Sequence, residues 1–255
     1  MITELNHIAI LTRDLTESVD FYEGRLGGTV AWTGEVPAIG LRFVYVQLGG
    51  GFIELLHMPQ VAADRPLGVD HIGFITDDVD ADFAALMDAG FEAQQQPQTA
   101  GSGNGRTAFL SDPNGARVEL LQRDTPVPDP SIVSDTVLAI DHIAVHARDL
   151  DGAFRFYRDG LGLQHLRTIN IPDSDFALGY VGLDGHVLEL HSFGAPAGLE
   201  RFPHIALRVG NLDAALATIG VNPEAGTPRP LQSGPGRMAE ILDPNGVTLE
   251  LVERA

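Results

Sequence analysis

The chain has 255 residues, of which 44% are hydrophobic, and this is enough for two domains with sizeable cores. Its formal net charge of −19 repels nucleic-acid phosphate and anionic lipid, so we expect neither a nucleic acid nor a membrane as partner. The sequence contains no Cys and no Lys, which excludes a thiolate nucleophile and a side-chain Schiff base.

Residues 5–58 predict one βαβββ module, in which a strand and a helix precede three more strands. The opening strand carries His7 in the apolar run Leu5-Asn6-His7-Ile8-Ala9-Ile10. Asp14 or Thr16 would cap the helix, because short polar side chains accept hydrogen bonds from the first helical amides. The three later strands, rich in Val, Ile, Phe and Tyr, are predicted at 29–33, 41–48 and 51–57.

This module repeats along the chain, and each copy begins with a His on an apolar strand. The later equivalents of His7 are His71, His142 and His204. The Phe-Tyr pair at 21–22 recurs 135 positions later, and the Asp-Pro-Asn-Gly turn at 112–115 recurs at 243–246. We therefore interpret the chain as a tandem duplication of a two-module segment, which gives four βαβββ modules.

The duplication predicts two domains, residues 1–123 and 137–255, each made of two modules. Residues 124–136 join them and contain Pro126, Pro128 and Pro130, a composition typical of a linker. Strands grouped with single helices place the chain in the α+β class.

Each module also ends on an apolar strand that contains one glutamate at the same place. These residues are Glu54, Glu119, Glu189 and Glu250, and they follow the His of their module by 46 to 48 positions. An ionised carboxylate inside an apolar strand is costly unless it is paired or binds a cation. If two modules pair about a pseudo-twofold axis, two imidazoles and two carboxylates converge. This donor set suits a divalent transition metal in octahedral coordination, such as Ni, Co, Mn, Fe or Zn.

Together these motifs resemble the vicinal oxygen chelate superfamily, which includes glyoxalase I, methylmalonyl-CoA epimerase and extradiol dioxygenases. The resemblance covers nearly the whole chain and is based on the His strand, the Phe-Tyr helix, the Glu strand and the Asp-Pro-Asn-Gly turn. It implies that the four modules form two glyoxalase-like domains, each an open barrel of cupped sheet around a metal. The implied ligands are His7, Glu54, His71 and Glu119 in one half and His142, Glu189, His204 and Glu250 in the other.

The resemblance also implies a chemistry, because the metal of this superfamily holds two adjacent substrate oxygens and stabilises an enolate. A second carboxylate ligand favours 1,2-proton transfer, since a glutamate can leave the metal and act as a base. We therefore predict an epimerase, an isomerase or a glyoxalase-type lyase that acts on a small polar oxygenated molecule. The predicted proton-transfer residues are Glu54, Glu119, Glu189 and Glu250.

Two other functions remain open from the residues alone. The four-module length also suits an extradiol-type dioxygenase that uses Fe(II) and O₂ to cleave a catechol ring, although a second glutamate is unfavourable for that reaction. A non-catalytic protein of the resistance type would instead sequester a small ligand between modules. One half of the duplication can also be a copy that holds no metal.

The second half has the more polar predicted cavity face. Side chains alternate between the two faces of a strand, so His146 lies on the same face as His142, and His191 lies on the same face as Glu189. Arg208, on the face of His204, is a candidate to bind a substrate carboxylate or hydroxyl.

The expected setting is the cytoplasm. No apolar stretch is long enough to cross a bilayer, and the N-terminus lacks a charged-then-apolar signal pattern. Exposed edges of cupped sheets favour a homodimer.

Overall fold

A computed structural model describes residues 1–59, 66–123, 128–192, 202–231 and 233–255. Within these ranges the chain forms two eight-stranded sheets and four α-helices. The first sheet contains β1 (Ile2–Leu11), β2 (Thr29–Val36), β3 (Leu41–Leu48), β4 (Gly51–His57), β5 (Gly68–Thr76), β6 (Glu92–Thr99), β7 (Arg106–Ser111) and β8 (Arg117–Gln122). The second contains β9 (Ala139–Ala147), β10 (Gln164–Asn170), β11 (Ala177–Leu183), β12 (His186–Ser192), β13 (Ile205–Arg208), β14 (Arg229–Pro230), β15 (Gly236–Leu242) and β16 (Thr248–Arg254). The α-helices are α1 (Leu15–Val19), α2 (Val79–Asp88), α3 (Leu150–Phe154) and α4 (Leu212–Ile219).

Each sheet has the His-bearing and Glu-bearing strands at its centre. The order is β2-β3-β4-β1-β5-β8-β7-β6 in the first sheet and β10-β11-β12-β9-β13-β16-β15-β14 in the second. We call β1–β4 module 1, β5–β8 module 2, β9–β12 module 3 and β13–β16 module 4. The first strand of every module runs parallel to the last strand of that module. These open, mixed sheets with few helices confirm the α+β fold expected from the sequence. Among the described residues, no helix has the length and apolar character needed to span a membrane.

The pairing register decides which face of the sheet each side chain occupies. Ala9 of β1 is the partner of Glu54 in β4, so Glu54 shares a face with Ala9 and with His7 two residues earlier. The opposite face of these two strands is apolar and fully buried, with Ile8, Ile10, Ile53 and Leu55. One face therefore packs as core, while the other carries the ionisable pair.

Polar caps fix the start of the α-helices. Asp14 Oδ1 accepts hydrogen bonds from Thr16 N at 2.8 Å and Glu17 N at 3.1 Å, so Asp14 rather than Thr16 caps α1. Asp149 has the same role in α3 and accepts from Gly152 N at 2.6 Å. Both helices then continue as π-helical turns, which contain the repeated Phe-Tyr pairs.

The described residues divide into two compact units that do not follow the order of the chain. The module 2–3 unit contains Met1–Asn6, His71–Thr125 and His142–Pro203. The module 1–4 unit contains His7–Asp70, Pro126–Asp141 and His204–Ala255. Each unit thus combines one module from each half of the sequence. The domain bounds 1–123 and 137–255 stay predictions, and residues 124–127 of the predicted linker lie outside the described residues.

A buried tyrosine–aspartate hydrogen bond links the two modules of the module 1–4 unit. Tyr22 OH donates to Asp243 Oδ2 at 3.1 Å, and Asp243 Oδ1 accepts from the backbone N of Asn245 and Val247 at 2.8 and 2.7 Å. Burial, followed by the nearby Asp243 charge, raises the pKa of Tyr22, so its hydroxyl stays a donor. Burial also raises the pKa of the Asp243 carboxyl.

The module 2–3 unit contains the equivalent bond. Tyr157 OH donates to Asp112 Oδ2 at 3.1 Å, and Asp112 Oδ1 accepts from Asn114 N and Ala116 N at 2.8 and 2.7 Å. Burial is again the first cause that raises the pKa of both Tyr157 and Asp112. In each unit the Phe-Tyr helix of one half therefore binds the Asp-Pro-Asn-Gly turn of the other half.

Removal of either tyrosine hydroxyl should destabilise the fold. We expect Tyr22→Phe and Tyr157→Phe each to lower the free energy of unfolding by about 1–2 kcal/mol, because a buried carboxylate loses a donor. Denaturant unfolding followed by circular dichroism measures the change. Thr218→Ala, which removes an exposed hydroxyl of α4, serves as the control and should not lower the free energy of unfolding, because Ala favours a helix. Two tyrosine variants as stable as the parent would contradict the role of these bonds.

The same carboxyls should make stability depend on pH. Their pKa values are raised in the folded state, so the folded protein takes up these protons at a higher pH than the unfolded chain does. The parent should therefore gain stability relative to Asp112→Asn/Asp243→Asn as the pH falls through the raised folded-state pKa values toward the ordinary pKa of Asp, and lose it as the pH rises back through them. Unfolding free energies of both proteins across this range test the sign, and a difference that grows with pH would refute it.

Candidate metal centres

His7 and Glu54 form the His–Glu pair of module 1. The parallel pairing of β1 and β4 brings His7 Nε2 to 3.4 Å from Glu54 Oε2, and the two side chains are 0% and 10% exposed. Tyr45, the register partner of Glu54 on β3, contacts the His7 ring edge-on with 5.4 Å between ring centroids. The pair is thus held by three neighbouring strands and is largely shielded from water.

An apolar cluster surrounds this first pair. Its buried members are Ala9, Leu11, Val36, Phe43, Tyr45, Phe52 and Leu56, and the partly buried Trp32, Leu41, Met58 and Leu67 pack against them. The Trp32 ring lies 4.9 Å from the Phe43 ring and 5.4 Å from the Tyr45 ring, measured between centroids. A carboxylate in such surroundings is stable only with a partner that offsets its lost hydration.

Module 2 holds its pair in a similar way and adds a hydroxyl donor. His71 Nε2 lies 3.5 Å from Glu119 Oε2, and Thr107 Oγ1 donates to the other oxygen, Oε1, at 2.5 Å. Phe109, the register partner of Glu119, packs edge-on against the His71 ring at 5.3 Å. The Arg117 guanidinium lies 3.6 Å above the Phe109 ring. The two oxygens of Glu119 therefore have different partners, a hydroxyl and an imidazole.

Module 3 has the most polar surroundings of the four. His142 Nε2 lies 3.2 Å from Glu189 Oε2, and His191 Nε2 lies 2.6 Å from the same oxygen. Tyr180 OH donates to Oε1 of Glu189. Burial, and then the Glu189 charge, raises the pKa of Tyr180, which keeps its hydroxyl protonated. The Arg167 guanidinium lies 4.2 Å from the centroid of the Tyr180 ring.

Module 4 holds the most loosely packed pair. His204 Nε2 lies 3.8 Å from Glu250 Oε2, and these side chains are 13% and 12% exposed. The register partner of Glu250 is Glu240, a second carboxylate, whose Oε1 accepts from Arg229 Nη2 at 2.8 Å. In modules 1 to 3 an aromatic ring occupies this position instead.

Several of these contacts do not follow from the sequence pattern. The hydroxyl of Thr107 was not expected to bind Glu119, although its position two residues from Phe109 gives both side chains the same face. The internal repeat does not predict Glu240 at the site, because the equivalent residue in the other three modules is aromatic. Arg208, expected near the site, is exposed at the end of β13.

The donor set fits a divalent transition metal. Among the described residues, two groups could hold a metal ion, one of His7, Glu54 and His71 and the other of His142, Glu189 and His204. Imidazole nitrogen together with carboxylate oxygen is the ligand chemistry that such ions accept. Glu119 is on β8, the neighbour of β5 in the first sheet, and Glu250 is on β16, the neighbour of β13 in the second sheet. Both stay predicted fourth ligands.

Comparison with known proteins gives the family. The chain matches the Glyoxalase/Bleomycin resistance protein/Dioxygenase superfamily over residues 4–120 and 139–251. These two matches cover most of the sequence, so the protein belongs to this superfamily, the vicinal oxygen chelate proteins.

Individual relatives are more distant. The "Probable lactoylglutathione lyase, chloroplastic" of Arabidopsis thaliana is 25% identical over 256 residues, which are 94% of this chain and 70% of that protein. The mitochondrial methylmalonyl-CoA epimerase of Homo sapiens is 30% identical over 130 residues, which are 46% of this chain and 73% of the epimerase. The Mn(II)-bound glyoxalase from Novosphingobium aromaticivorans superposes with a TM-score of 0.71 at 18% identity, covering 99% of this chain and 82% of that one. This last likeness concerns the fold.

Metal binding should stabilise the protein. At a free Mn(II) concentration about 100 times the dissociation constant, we expect the free energy of unfolding to rise by about 2.7 kcal/mol per site. Glu54→Gln/Glu189→Gln should lose most of this increase, whereas Glu92→Gln, at an exposed position of β6, should keep it. Thermal and denaturant unfolding with Mn(II) or with a chelator measure the effect. An increase that survives in the double variant would show that these glutamates do not bind the ion.

Proposed function

We propose that this protein is a divalent-metal-dependent lyase or isomerase of the glyoxalase type, which transfers a proton between adjacent carbon atoms of a small oxygenated substrate. The observation that carries the proposal is the order of the central strands. In the first sheet β4, β1, β5 and β8 carry, in succession, Glu54, His7, His71 and Glu119. The second sheet repeats this order with Glu189, His142, His204 (one residue before β13) and Glu250.

These eight residues are the proposed metal ligands, four in each half. The bound ion would supply Lewis-acid stabilisation of the negative charge that develops on substrate oxygens. Ni, Co, Mn, Fe and Zn all accept this donor set, and one structural relative is a Mn(II)-bound glyoxalase.

The glutamates are also the proposed proton carriers, namely Glu54, Glu119, Glu189 and Glu250. In each half, one glutamate removes the α-proton of the substrate and the other returns a proton, so that the transfer is balanced. A carboxylate can act as a base only if one of its oxygens faces the substrate. In Glu119 and Glu189 a hydroxyl donor, from Thr107 or Tyr180, fixes Oε1, so Oε2, which lies on the side of the His ligands, is the oxygen that would turn to the substrate and carry the proton.

The relatives support proton transfer over other chemistries of the superfamily. One is named a lactoylglutathione lyase and matches 94% of this chain, and another is an epimerase. A lactoyl thioester has a hydroxyl and a carbonyl oxygen on adjacent carbons, which suits chelation of a metal by two oxygens. The cytoplasmic location and the homodimer expected from the sequence stay predictions.

Exchange of substrate protons with solvent tests the proposal. In D₂O with Mn(II), the protein should replace the C2 proton of S-lactoylglutathione, or the methylene protons of dihydroxyacetone, with deuterium, as measured by proton NMR. Because a positioned base contributes about 10²-fold or more, Glu54→Gln/Glu189→Gln should slow the exchange by at least that factor. Glu92→Gln should exchange at the parent rate.

Two results would replace this function by another. Consumption of O₂ with catechol by the Fe(II)-loaded protein, without any proton exchange, would indicate a ring-cleaving dioxygenase. Ligand binding that is independent of metal and unchanged in Glu54→Gln, again without exchange, would indicate a sequestering protein.

A further inference from the structure

Modules 1 and 3 differ at corresponding positions on their outer strands. Trp32 pairs with Tyr45 across β2 and β3, and Arg167 pairs with Tyr180 across β10 and β11. Both strands have a register shift just before this residue, so the two positions are equivalent in geometry as well as in sequence. An indole in one half is therefore replaced by a guanidinium in the other, and each lies against the tyrosine beside the glutamate.

The inner strands show a second difference of the same kind. Leu11 of β1 pairs with Leu56 of β4, whereas His146 of β9 pairs with His191 of β12. Leu11 and Leu56 are buried members of the apolar cluster, with 1% and 6% exposure. The two imidazoles are only partly buried, and their ring centroids lie 6.2 Å apart.

Arg167 is placed to bind a ligand. Its guanidinium lies over the Tyr180 ring and hydrogen-bonds to the Tyr180 hydroxyl, and because the side chain is exposed its remaining N–H groups can donate to a ligand. Tyr180 itself donates to Glu189, so the guanidinium lies one side chain away from a proposed metal ligand. A chain with a net charge of −19 attracts anions poorly, and a local cation is needed to hold one.

We propose that the module 3 site selects a substrate that carries a carboxylate besides its two chelating oxygens, and that Arg167 binds this carboxylate while His146 and His191 line the same face. Module 1, with Trp32 in the corresponding position, favours a neutral or apolar substrate. The inference depends on the proposed function, because it takes Glu189 and His142 as metal ligands. The duplicated halves thus have different substrate specificities.

Two chelators that differ only in charge test this specificity. Catechol and 3,4-dihydroxybenzoate each offer two adjacent oxygens, and the second also carries a carboxylate. Each compound is titrated by calorimetry into the full-length, Zn(II)-loaded protein that carries Glu54→Gln. This substitution removes a proposed ligand of the first half and so isolates the second half, and Zn(II) avoids redox chemistry. We expect 3,4-dihydroxybenzoate to bind at least about 10-fold more tightly than catechol, the effect of one charge-assisted hydrogen-bond pair.

Substitutions at the equivalent positions provide the matched controls. Arg167→Trp in the Glu54→Gln background should abolish the preference for 3,4-dihydroxybenzoate without weakening the affinity for catechol. If the larger Trp side chain disturbs folding, Arg167→Gln replaces it, and we expect the same result. Trp32→Arg in a Glu189→Gln background should create the preference in the first half. Arg158→Gln, which alters an exposed arginine of the helix region, should leave it unchanged.

Each result has a defined meaning. A parent without preference for 3,4-dihydroxybenzoate, or a preference that survives in Arg167→Trp and Arg167→Gln, overturns the specificity while the metal centre stands. Failure of the unsubstituted protein to bind Zn(II) overturns the proposed function and this inference with it. Bound Zn(II), with a preference lost at Arg167 and gained at Trp32, supports both.

Discussion

A glutamate carboxylate buried on the face of an apolar sheet is the constraint on which the site depends. Desolvation of an ionised carboxylate costs several kcal/mol unless hydrogen bonds and an opposite charge offset it. Every module places an imidazole beside this carboxylate, on the neighbouring parallel strand or, for His204, one residue before it, at Nε2–Oε2 distances from 3.2 to 3.8 Å. Parallel pairing of the first and last strands of each module, and not the chance approach of loops, positions the two groups. A rigid sheet is a suitable support for metal ligands, because their geometry must be held closely.

Around this constant pair the modules have diverged. The residue opposite the glutamate is Tyr45, Phe109, Tyr180 or Glu240, and these side chains give four different environments to the same carboxylate. Thr107 and Tyr180 fix one carboxylate oxygen, and His191 adds an imidazole that module 1 replaces with Leu56. Function in this superfamily therefore depends on the side chains that surround a shared fold, and the fold alone does not identify the reaction.

The duplication also determines which modules are bonded to each other inside each compact unit. Tyr22 and Tyr157, each on the helix of one half, donate to Asp243 and Asp112 in the turns of the other half. Both hydroxyls and both carboxyls have raised pKa values, because burial disfavours their charged forms. Each hydroxyl is consequently a neutral donor over the physiological pH range. The Phe-Tyr helix and the Asp-Pro-Asn-Gly turn, which are typical of the family, thus also have a structural role, because one hydrogen-bonds to the other.

The sequence by itself determined the four modules, the α+β class and the eight His and Glu positions, because these follow from local periodicity and from repetition. Alternation with a period of two assigns a side chain to a face, and this is why His146 and His191 were expected near the ligands. Only the tertiary structure decided that Tyr22 binds Asp243 rather than Asp112, that Thr107 binds Glu119 and that Arg167 stacks on Tyr180. These contacts depend on which modules pack together and on register shifts within strands. Both are set by the packing of residues distant in the chain, which the pattern of one strand does not contain.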